Sequence, residues 1–342
     1  MLTKQPARIL IRSANWVGDA IMSIPAIHAV HRGFPHAEIT ILAKPWVAPV
    51  YDHCPYVDRV ILYEEKEKHN GLTGILRLCR ELRNHHFDAA ISIQNAFEAG
   101  LIMWLSGIPV RIGYAADGRS ALLTHRVYRT PAIRTTHQID YYLSLVAGVG
   151  IVPCGRNLEL FLSDTERQCA RQLLQETGFK PDLQIIGINP GAAFGTAKRW
   201  FPERFIEVCN RLNKKGDRRF LVFGSPAEAG LGETIRQGIG DSCINLCGKT
   251  FLREAFALID RCSLFITNDS GLMHAAAAQN VPQIAIFGPT RLNTMPLNDN
   301  SHILRVPVSC GPCMKPHCQT DHRCMDAVTV DMVANLASRL LS

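Results

Sequence analysis

The side chains that could do chemistry in this sequence are concentrated in three loops, each directly after an apolar run that reads as a strand. The first loop, Asn15–Asp19, ends in a carboxylate at the start of a predicted helix, and Gly18 allows a tight turn just before it. Asp19 is there either as an N-cap that accepts backbone N–H groups or as a general base that takes a proton from a substrate hydroxyl. The spacing alone leaves both interpretations open.

The second loop, Pro190–Trp200, combines two glycines with the hydroxyl of Thr196 and the adjacent cations of Lys198 and Arg199. Backbone N–H groups, ammonium groups and guanidinium groups of this kind bind phosphate oxygens. The loop lacks the Gly-Lys-Ser/Thr sequence of a Walker A motif, which excludes a P-loop. It is therefore either a phosphate cradle of another kind or an ordinary glycine-rich turn.

The third loop, Asn268–His274, leads into a predicted helix. Asp269 or Ser270 could cap that helix, which begins at Gly271 and whose free N–H groups and positive dipole end attract a diphosphate. His274 lies four residues after Ser270 on the same helical face, so it could contact the same ligand. The alternative for His274 is a core histidine bonded to a backbone carbonyl; its register with the helix start favours the ligand contact.

A cluster of cysteines near the C-terminus forms a separate candidate site. The Cys-x2-Cys spacing at its start is typical of metal ligands, although the two halves are closer together than in a zinc ribbon. The cluster is therefore interpreted as a structural zinc or other metal site, as reduced thiols, or as a redox-sensitive pair. Four of the 12 cysteines form it, Cys310, Cys313, Cys318 and Cys324, with His317 and His322 between them.

Strands and helices alternate through both halves of the sequence, and this alternation positions the three loops. Strands joined by helices pair in parallel, which predicts a doubly wound α/β sheet in each half, with ligands beyond the carboxyl ends of the strands. A further helix begins after Ser163, with Glu166 three residues on, in a capping-box pattern. The predicted strands are Ala7–Arg12, Glu38–Ala43, Arg59–Leu62, Asp88–Ile93, Val110–Gly113, Gln184–Asn189, Arg219–Phe223, Leu264–Thr267 and Gln283–Phe287. The predicted helices are Ala20–His31, Pro202–Lys215, Glu228–Gln237, Leu252–Asp260, Gly271–Gln279 and Thr329–Leu341.

The length of the chain predicts two domains, because 342 residues exceed the usual size of one. We expect an N-terminal domain of residues 1–170 and a C-terminal domain of residues 171–342, with the boundary between Leu162 and Pro181. The last helix, residues 329–341, is amphipathic and could pack on either domain.

Composition and charge exclude several classes of protein. The chain carries 37 Lys and Arg against 30 Asp and Glu, and the excess is +3 in residues 1–170 and +4 in residues 171–342. Neither half is therefore a basic arm that binds nucleic acid; the diffuse charge suits a phosphorylated substrate or an anionic membrane face. No run approaches the roughly 18 apolar residues of a membrane span. The segment Met1–Arg8 lacks the apolar core and cleavage site of a signal peptide, so we expect a cytoplasmic location.

Motifs of other enzyme classes are absent from the sequence. There is no Gly-x-Ser-x-Gly elbow, and no Gly-x-Gly-x-x-Gly follows the first strand, which disfavours a hydrolase and a classical dinucleotide site. There is also no Asp-x-Asp pair of the kind that holds a divalent metal in nucleotide-sugar enzymes. The charge of a diphosphate would therefore be met by Lys198, Arg199 and a helix N-terminus.

At these loops the sequence resembles glycosyltransferase family 9, the ADP-heptose:lipopolysaccharide heptosyltransferases. The similar segments are spread over most of the chain in the family's order, which makes the resemblance more specific than any one loop. It implies a GT-B fold, in which two Rossmann-like domains face a central cleft, with the acceptor on the N-terminal domain and the nucleotide sugar on the C-terminal one. The segments are Trp16–Asp19, Pro190–Trp200, Phe223–Ser225, Thr267–Ala277 and Phe287–Pro289.

The resemblance also implies roles for the candidate residues. Asp19 is similar to the catalytic base, Lys198 to the lysine that binds the donor diphosphate, and Glu228 to the acid that contacts the nucleoside. The family's reaction inverts the anomeric centre by direct displacement without a metal, in agreement with the absence of an Asp-x-Asp pair. The predicted donor-binding residues are Thr196, Lys198, Glu228, Asp269, Ser270, Gly271 and His274.

The function that the resemblance implies is inverting transfer of L-glycero-D-manno-heptose from ADP-heptose to a heptose of the lipopolysaccharide inner core. No cofactor is expected for catalysis. The expected partners are ADP-heptose, a lipid A-linked core acceptor and, peripherally, the cytoplasmic face of the inner membrane. The alternatives are a family member with another acceptor or nucleotide sugar, a GT-B-like sugar-nucleotide epimerase, and a non-catalytic nucleotide-sugar binding module. The cysteine cluster is not part of the family's motif set.

Overall fold

A computed structural model describes residues 5–178, 183–214 and 216–342 of the chain. The chain divides into two compact units, residues 1–161 and 162–342. Three features of the sequence predictions lie outside the described residues: the first four residues of the N-terminal segment, Pro181 at the end of the boundary region, and Lys215 at the end of a helix.

The first unit is a parallel six-stranded sheet covered by helices. The strand order is β3-β2-β1-β4-β5-β6, so the order reverses between β1 and β4, where the loops that follow these strands leave in opposite directions. The strands are β1 (Arg8–Arg12), β2 (Glu38–Ala43), β3 (Arg59–Leu62), β4 (Ala89–Ser92), β5 (Val110–Tyr114) and β6 (His125–Val127). The helices are α1 (Val17–Gly33), α2 (Gly71–Arg83), α3 (Phe97–Leu105), α4 (Pro131–Thr135) and α5 (Gln138–Ala147), with 3₁₀ turns at Ala48–Tyr51 and Arg119–Leu122.

The second unit repeats this arrangement with the order β12-β11-β10-β7-β8-β9, again all parallel in the described pairings. Its reversal point lies between β7 and β10. The strands are β7 (Gln184–Asn189), β8 (Arg218–Val222), β9 (Cys243–Asn245), β10 (Leu264–Asn268), β11 (Gln283–Ile286) and β12 (Ser301–Leu304). The helices are α6 (Asp164–Glu176), α7 (Pro202–Asn213), α8 (Ala229–Ile239), α9 (Leu252–Ile259), α10 (Gly271–Ala278), α11 (Arg323–Asp326) and α12 (Val330–Leu340), with 3₁₀ turns at Thr196–Lys198, Pro226–Glu228 and Leu292–Thr294.

The central strands of both sheets are apolar runs because helices cover both faces. Ile9, Leu10 and Ile11 of β1 are all buried, and so is Ile266 of β10. The predicted α/β fold class is thus confirmed, and every predicted strand and helix is present with ends that differ by at most three residues. The sequence patterns did not predict helices α2 to α5 and α11. They also did not predict the edge strands β6, β9 and β12, and these strands are short or only partly buried.

The predicted capping box at the start of α6 is confirmed, since Ser163 accepts from the N–H of Glu166 and the Glu166 carboxylate accepts from the N–H of Ser163. Helix α6 packs against α9, and Glu166 binds Arg253 there at 2.7 Å. These contacts place α6 in the second unit, so the units divide at residues 161 and 162 rather than at 170 and 171. Helix α12 packs on α7 of the same unit.

Candidate active site

The loops after β7 and β10, predicted to bind phosphate, lie side by side at the reversal point of the second sheet. Asn268 joins them through both atoms of its buried amide. Its Nδ2 donates to the carbonyl of Pro190 at 2.7 Å, and its Oδ1 accepts from the N–H of Trp200 at 3.1 Å. Asn189 Nδ2 adds a bond to Ser270 Oγ at 3.2 Å. The two loops therefore form one rigid unit, although they are far apart in the sequence.

Lys198 and Asp269 meet at the centre of this arrangement. Lys198 Nζ is 2.6 Å from Asp269 Oδ2, and Thr290 Oγ1 donates to the same oxygen at 2.7 Å. The ammonium group also lies 5.1 Å from the centroid of the Phe194 ring, and the Lys198 side chain is only 14% exposed. A diphosphate at this place would compete with Asp269 for a cation that is already oriented and largely desolvated.

The N-terminus of α10 begins beside this ion pair. Ser270 is the N-cap residue, but its side chain makes no capping bond; its hydroxyl lies 3.2 Å from that of Thr267. The predicted side-chain cap is therefore wrong for Ser270. The predicted cap by Asp269 is replaced by the ion pair with Lys198. The first N–H groups of α10, starting at Gly271, point out of the N-terminal end of the helix, and this is the end that attracts anions.

His274 lies one turn into α10 and is 3% exposed. Such burial agrees with the core-histidine interpretation. His274 nevertheless lies on the helix whose start adjoins Lys198. A contact between His274 and the donor stays a prediction.

Glu228 has a structural task that was not predicted, although the spacing of Ser225 and Glu228 is that of a capping box. Its Oε2 accepts from the N–H and hydroxyl of Ser225 at 2.8 and 2.9 Å, and its Oε1 accepts from the N–H of Ala192 at 3.0 Å and lies 3.3 Å from an Arg199 nitrogen. A Cβ on Gly191 would lie 1.9 Å from Oε1, so any other residue there would displace the carboxylate from these bonds. The carboxylate thus joins the loops after β7 and β8, and its contact with a nucleoside stays a prediction.

Asp19 lies in the first unit, at the reversal point of that sheet. It is the third residue of α1, whose N-cap is Trp16, so the N-cap interpretation of Asp19 is wrong. The hydroxyl of Tyr142, on α5, donates to Asp19 Oδ1 at 2.8 Å. Burial, with the Asp19 charge as the second cause, raises the pKa of Tyr142 well above its usual value. The phenol therefore stays protonated and remains a donor to the carboxylate.

Buried arginines that the sequence reading did not single out hold the loops around Asp19. Arg12, at the end of β1, donates to the carbonyl of Ser13 at 2.7 Å and to Asn15 Oδ1 at 2.9 Å. Burial lowers the pKa of Arg12. Trp46 Nε1 donates to the carbonyl of Asn15 at 3.0 Å, although its ring is half exposed. These bonds fix the backbone that leads from β1 to Asp19.

Arg119 performs the same task for the loop after β4. It is fully buried, and it donates to Ser92 Oγ at 3.1 Å, to Asn95 Oδ1 at 2.7 Å and to the carbonyl of Tyr114 at 3.0 Å. Burial lowers its pKa to about 10. Partners 24 to 27 residues away leave no local pattern in the sequence.

The four clustered cysteines line one cavity of about 280 Å³ in the second unit. All four thiols are free; Cys310 and Cys313 are exposed and Cys324 is buried. Burial, and then the neighbouring thiols of Cys310, Cys318 and Cys313, raise the pKa of Cys324. Across the described residues, no group of three or more His, Cys, Asp or Glu side chains is arranged to hold a metal ion. A structural zinc at this cluster stays a prediction.

Comparison with known proteins identifies the family. The model of glycosyltransferase family 9 (heptosyltransferase) matches residues 75–323. The chain belongs to this family. It is 32% identical over 309 residues to lipooligosaccharide heptosyltransferase 2 of Haemophilus influenzae, covering 87% of this chain and 88% of that protein.

Solved structures agree with this assignment. The structure of Escherichia coli ADP-heptose lipopolysaccharide heptosyltransferase II is 28% identical with a TM-score of 0.83, covering 98% of both chains. A family 9 glycosyltransferase from Veillonella parvula, at 24% identity, shares the fold with a TM-score of 0.90, covering 100% of this chain and 98% of that one. The fold is therefore that of the GT-B glycosyltransferases, as the resemblance implied.

Membership of family 9 makes the chain a glycosyltransferase, so the epimerase and the non-catalytic binding module are set aside. Within the described ranges, no helix combines the length and the apolar character needed to cross a bilayer.

Proposed function

We propose that this glycosyltransferase is a heptosyltransferase II, which transfers L-glycero-D-manno-heptose from ADP-heptose to a heptose of the lipopolysaccharide inner core. The observation that carries the proposal is the Lys198–Asp269 pair at 2.6 Å beside the start of α10. It joins a desolvated cation to a helix N-terminus, which together suit a diphosphate without a divalent metal. The relatives named heptosyltransferase 2 support the choice of sugar and acceptor.

In the proposed donor complex, the diphosphate of ADP-heptose binds Lys198 and the first N–H groups of α10. Lys198 exchanges its bond to Asp269 for phosphate oxygens, while Thr290 continues to hold the Asp269 carboxylate. Ser270 and Gly271 supply the backbone at the helix start, and Thr196, Glu228 and His274 complete the proposed donor site. As the bond between the anomeric carbon and the phosphate oxygen breaks, negative charge gathers on ADP, and Lys198 and the helix dipole stabilise it.

In the proposed acceptor complex, Asp19 is the general base. Its carboxylate takes the proton from a heptose hydroxyl as the oxygen of that hydroxyl bonds to the anomeric carbon on the face opposite ADP. One C–O bond forms and one breaks, so the configuration inverts and ADP leaves. Tyr142 supports this role by donating to Asp19 Oδ1 at 2.8 Å, because a hydrogen bond from a neutral phenol stabilises the ionised carboxylate and fixes its orientation.

We further propose that the acceptor is presented at the cytoplasmic face of the inner membrane, as part of a lipid A-linked core. The net charge of +7 favours a phosphorylated, anionic surface. The first unit also exposes Trp16, Trp46, Phe97 and Trp104, and aromatic side chains of this kind suit sugar rings and membrane interfaces.

The proposal is tested by incubating the protein with ADP-heptose and a panel of truncated core acceptors while ADP release is measured. We expect release only with acceptors that carry a lipid-linked inner-core heptose. Release without any acceptor would contradict transfer. Equal or faster release with another nucleotide sugar, or with an acceptor that lacks the heptose, would instead favour a different member of the family.

A further inference from the structure

A long irregular segment, residues 305–322, separates β12 from α11 and contains three of the four clustered cysteines. Loops longer than about 12–15 residues without regular structure are uncommon in compact domains and usually carry a function. The proposed reaction assigns this cysteine-rich loop no task. Its contacts, however, lead directly to the turn that carries Lys198.

The loop binds both backbone groups of Ala197, the residue before Lys198. The N–H of Ala197 donates to the carbonyl of Pro316 at 3.0 Å. The carbonyl of Ala197 lies 2.9 Å from His322 Nε2, which must be the protonated ring nitrogen because a carbonyl can only accept. One residue of the 3₁₀ turn Thr196–Lys198 (the lysine turn) is therefore held from both sides by the cysteine-rich loop.

Two neighbouring residues extend this contact. Thr196 Oγ1 lies 3.1 Å from His317 Nδ1, so a predicted donor-binding residue is bonded to the loop. Gly195 has a φ of +148°, and a Cβ there would lie 2.2 Å from the carbonyl oxygen of Pro316. The two segments thus approach more closely than any other residue at position 195 would allow.

His322 is held in an unusual conformation to make its bond. Its φ of 60° is left-handed, which costs free energy for a residue with a side chain. Its ring packs edge-on against Phe201, with 5.8 Å between the ring centroids. Phe201 directly precedes α7, so the ring is supported by a regular element of the sheet domain. A strained backbone that is supported in this way points to a position set by function.

We propose that the cysteine-rich loop is a positioning element for donor binding, in which His322 and the carbonyl of Pro316 clamp Ala197 and thereby fix Lys198. His322 is a positioning residue: it acts on the donor through the backbone of the lysine turn. The inference rests on the proposed role of Lys198 in binding the donor diphosphate.

The clamp is tested by measuring ADP binding to the full-length chain by calorimetry, together with the KM values for ADP-heptose and acceptor. Replacement His322→Ala removes the donor to the Ala197 carbonyl, and we expect the Kd for ADP and the KM for ADP-heptose to rise about tenfold. The KM for the acceptor stays within about twofold, because the acceptor does not depend on the lysine turn. His322→Gln keeps an N–H donor on a side chain of similar length, so it should recover most of the affinity.

Two further variants keep the test decisive if His322→Ala folds poorly. Gly195→Ala forces the turn away from Pro316 and should weaken ADP binding in the same direction. His302→Ala, on β12 of the same unit, removes a histidine outside the clamp and should leave the Kd for ADP unchanged. Thermal unfolding of each variant reports whether the second unit is intact.

The inference is overturned if folded His322→Ala binds ADP within about twofold of the wild type. It is equally overturned if His322→Ala and His322→Gln lose affinity to the same extent, with both KM values rising together, since that is the pattern of a general structural role. Lys198→Ala separates the two proposals: normal ADP binding by this variant refutes the role of Lys198 itself, whatever the histidine variants do.

Discussion

The residues proposed to carry chemistry are held differently in the two units. Around Lys198, the two motif loops bind each other, and Asn268 and Asp269 connect residues of one predicted loop to those of another. Around Asp19, the supporting groups come from elements that carry no motif, among them Tyr142, which is 123 residues away. The loops around Lys198 could thus be predicted from the sequence, whereas Asp19 is oriented by residues that come close to it only in the folded chain.

The largest expected effect is on the base. Asp19→Asn keeps the shape of the side chain but cannot take a proton, so we expect kcat to fall by about 10²–10⁴-fold. Binding of ADP should be unchanged, because the proposed donor site lies in the second unit. Stopped assays of ADP release with saturating substrates measure the first quantity and calorimetry the second. Asp140→Asn, which removes a carboxylate of α5 that binds Arg156, is the matched control; turnover of Asp19→Asn near that of the control would refute the assignment.

Removal of the lysine should act on the other region. Lys198→Ala loses a charge-assisted bond to the diphosphate, so we expect donor affinity and turnover to fall together by about 10- to 100-fold. Because the single change leaves Asp269 without its ammonium partner, the double variant Lys198→Ala/Asp269→Asn serves as a check on stability. Lys249→Ala, at an exposed site, is the charge control. Unchanged donor affinity and rate would exclude Lys198 from the donor site.

A smaller effect is expected at the partner of Asp19. Tyr142→Phe removes the bond to Oδ1, so we expect kcat to fall about tenfold while the KM for ADP-heptose stays constant. Since the phenol stabilises the ionised carboxylate, its loss should also move the acid limb of the kcat/KM profile to higher pH. Tyr114→Phe loses an equally buried hydroxyl, which donates to the carbonyl of Tyr141, and should do neither. An acid limb that does not move would mean that Tyr142 only packs against α1.

This contrast also explains which parts of the fold and of the site could be predicted from the sequence. The sheets, the capping box at Ser163 and the three loops follow from local patterns, such as apolar runs and glycine or carboxylate positions after strands. The cap expected from Ser270 failed because a tertiary bond from Asn189 engages its hydroxyl. Arg119 and Tyr142 gave no signal, because a buried arginine or tyrosine looks like any surface one until its distant partners are known.

In the second unit, the spacing of the four clustered cysteines is a local sequence pattern whose function stays a prediction. This spacing is typical of metal ligands, and the four thiols line one cavity, but no group of three or more ligating side chains is arranged to hold a metal among the described residues. A structural zinc would give about one equivalent of zinc per chain in elemental analysis of purified protein, lost in Cys313→Ser. Cys169→Ser, which removes an exposed thiol of α6, is the control. Wild-type protein without bound metal would favour the interpretation as reduced thiols.

The smallest expected effect is on stability rather than catalysis, and it tests the contact that places α6 in the second unit. Arg253 lowers the pKa of Glu166 to about 2, with the capping bonds of Ser163 adding to the shift. The folded pKa is thus depressed below its ordinary value near 4.5, so the carboxylate stabilises the fold fully above that value and loses its contribution as the pH falls toward 2.

We therefore expect Glu166→Gln to lower the free energy of unfolding at pH 7 by about 1–3 kcal/mol, a figure that allows for partial solvent screening. The difference from the wild type should shrink between pH 4.5 and 2, where the wild-type carboxylate also becomes neutral. Urea unfolding at pH 7 and at pH 3 measures it, with Asp164→Asn at the exposed start of α6 as the control. A difference that is constant with pH would mean that the charge of Glu166 does not stabilise the contact between α6 and α9, and that its ion pair with Arg253 contributes little to the stability of the second unit.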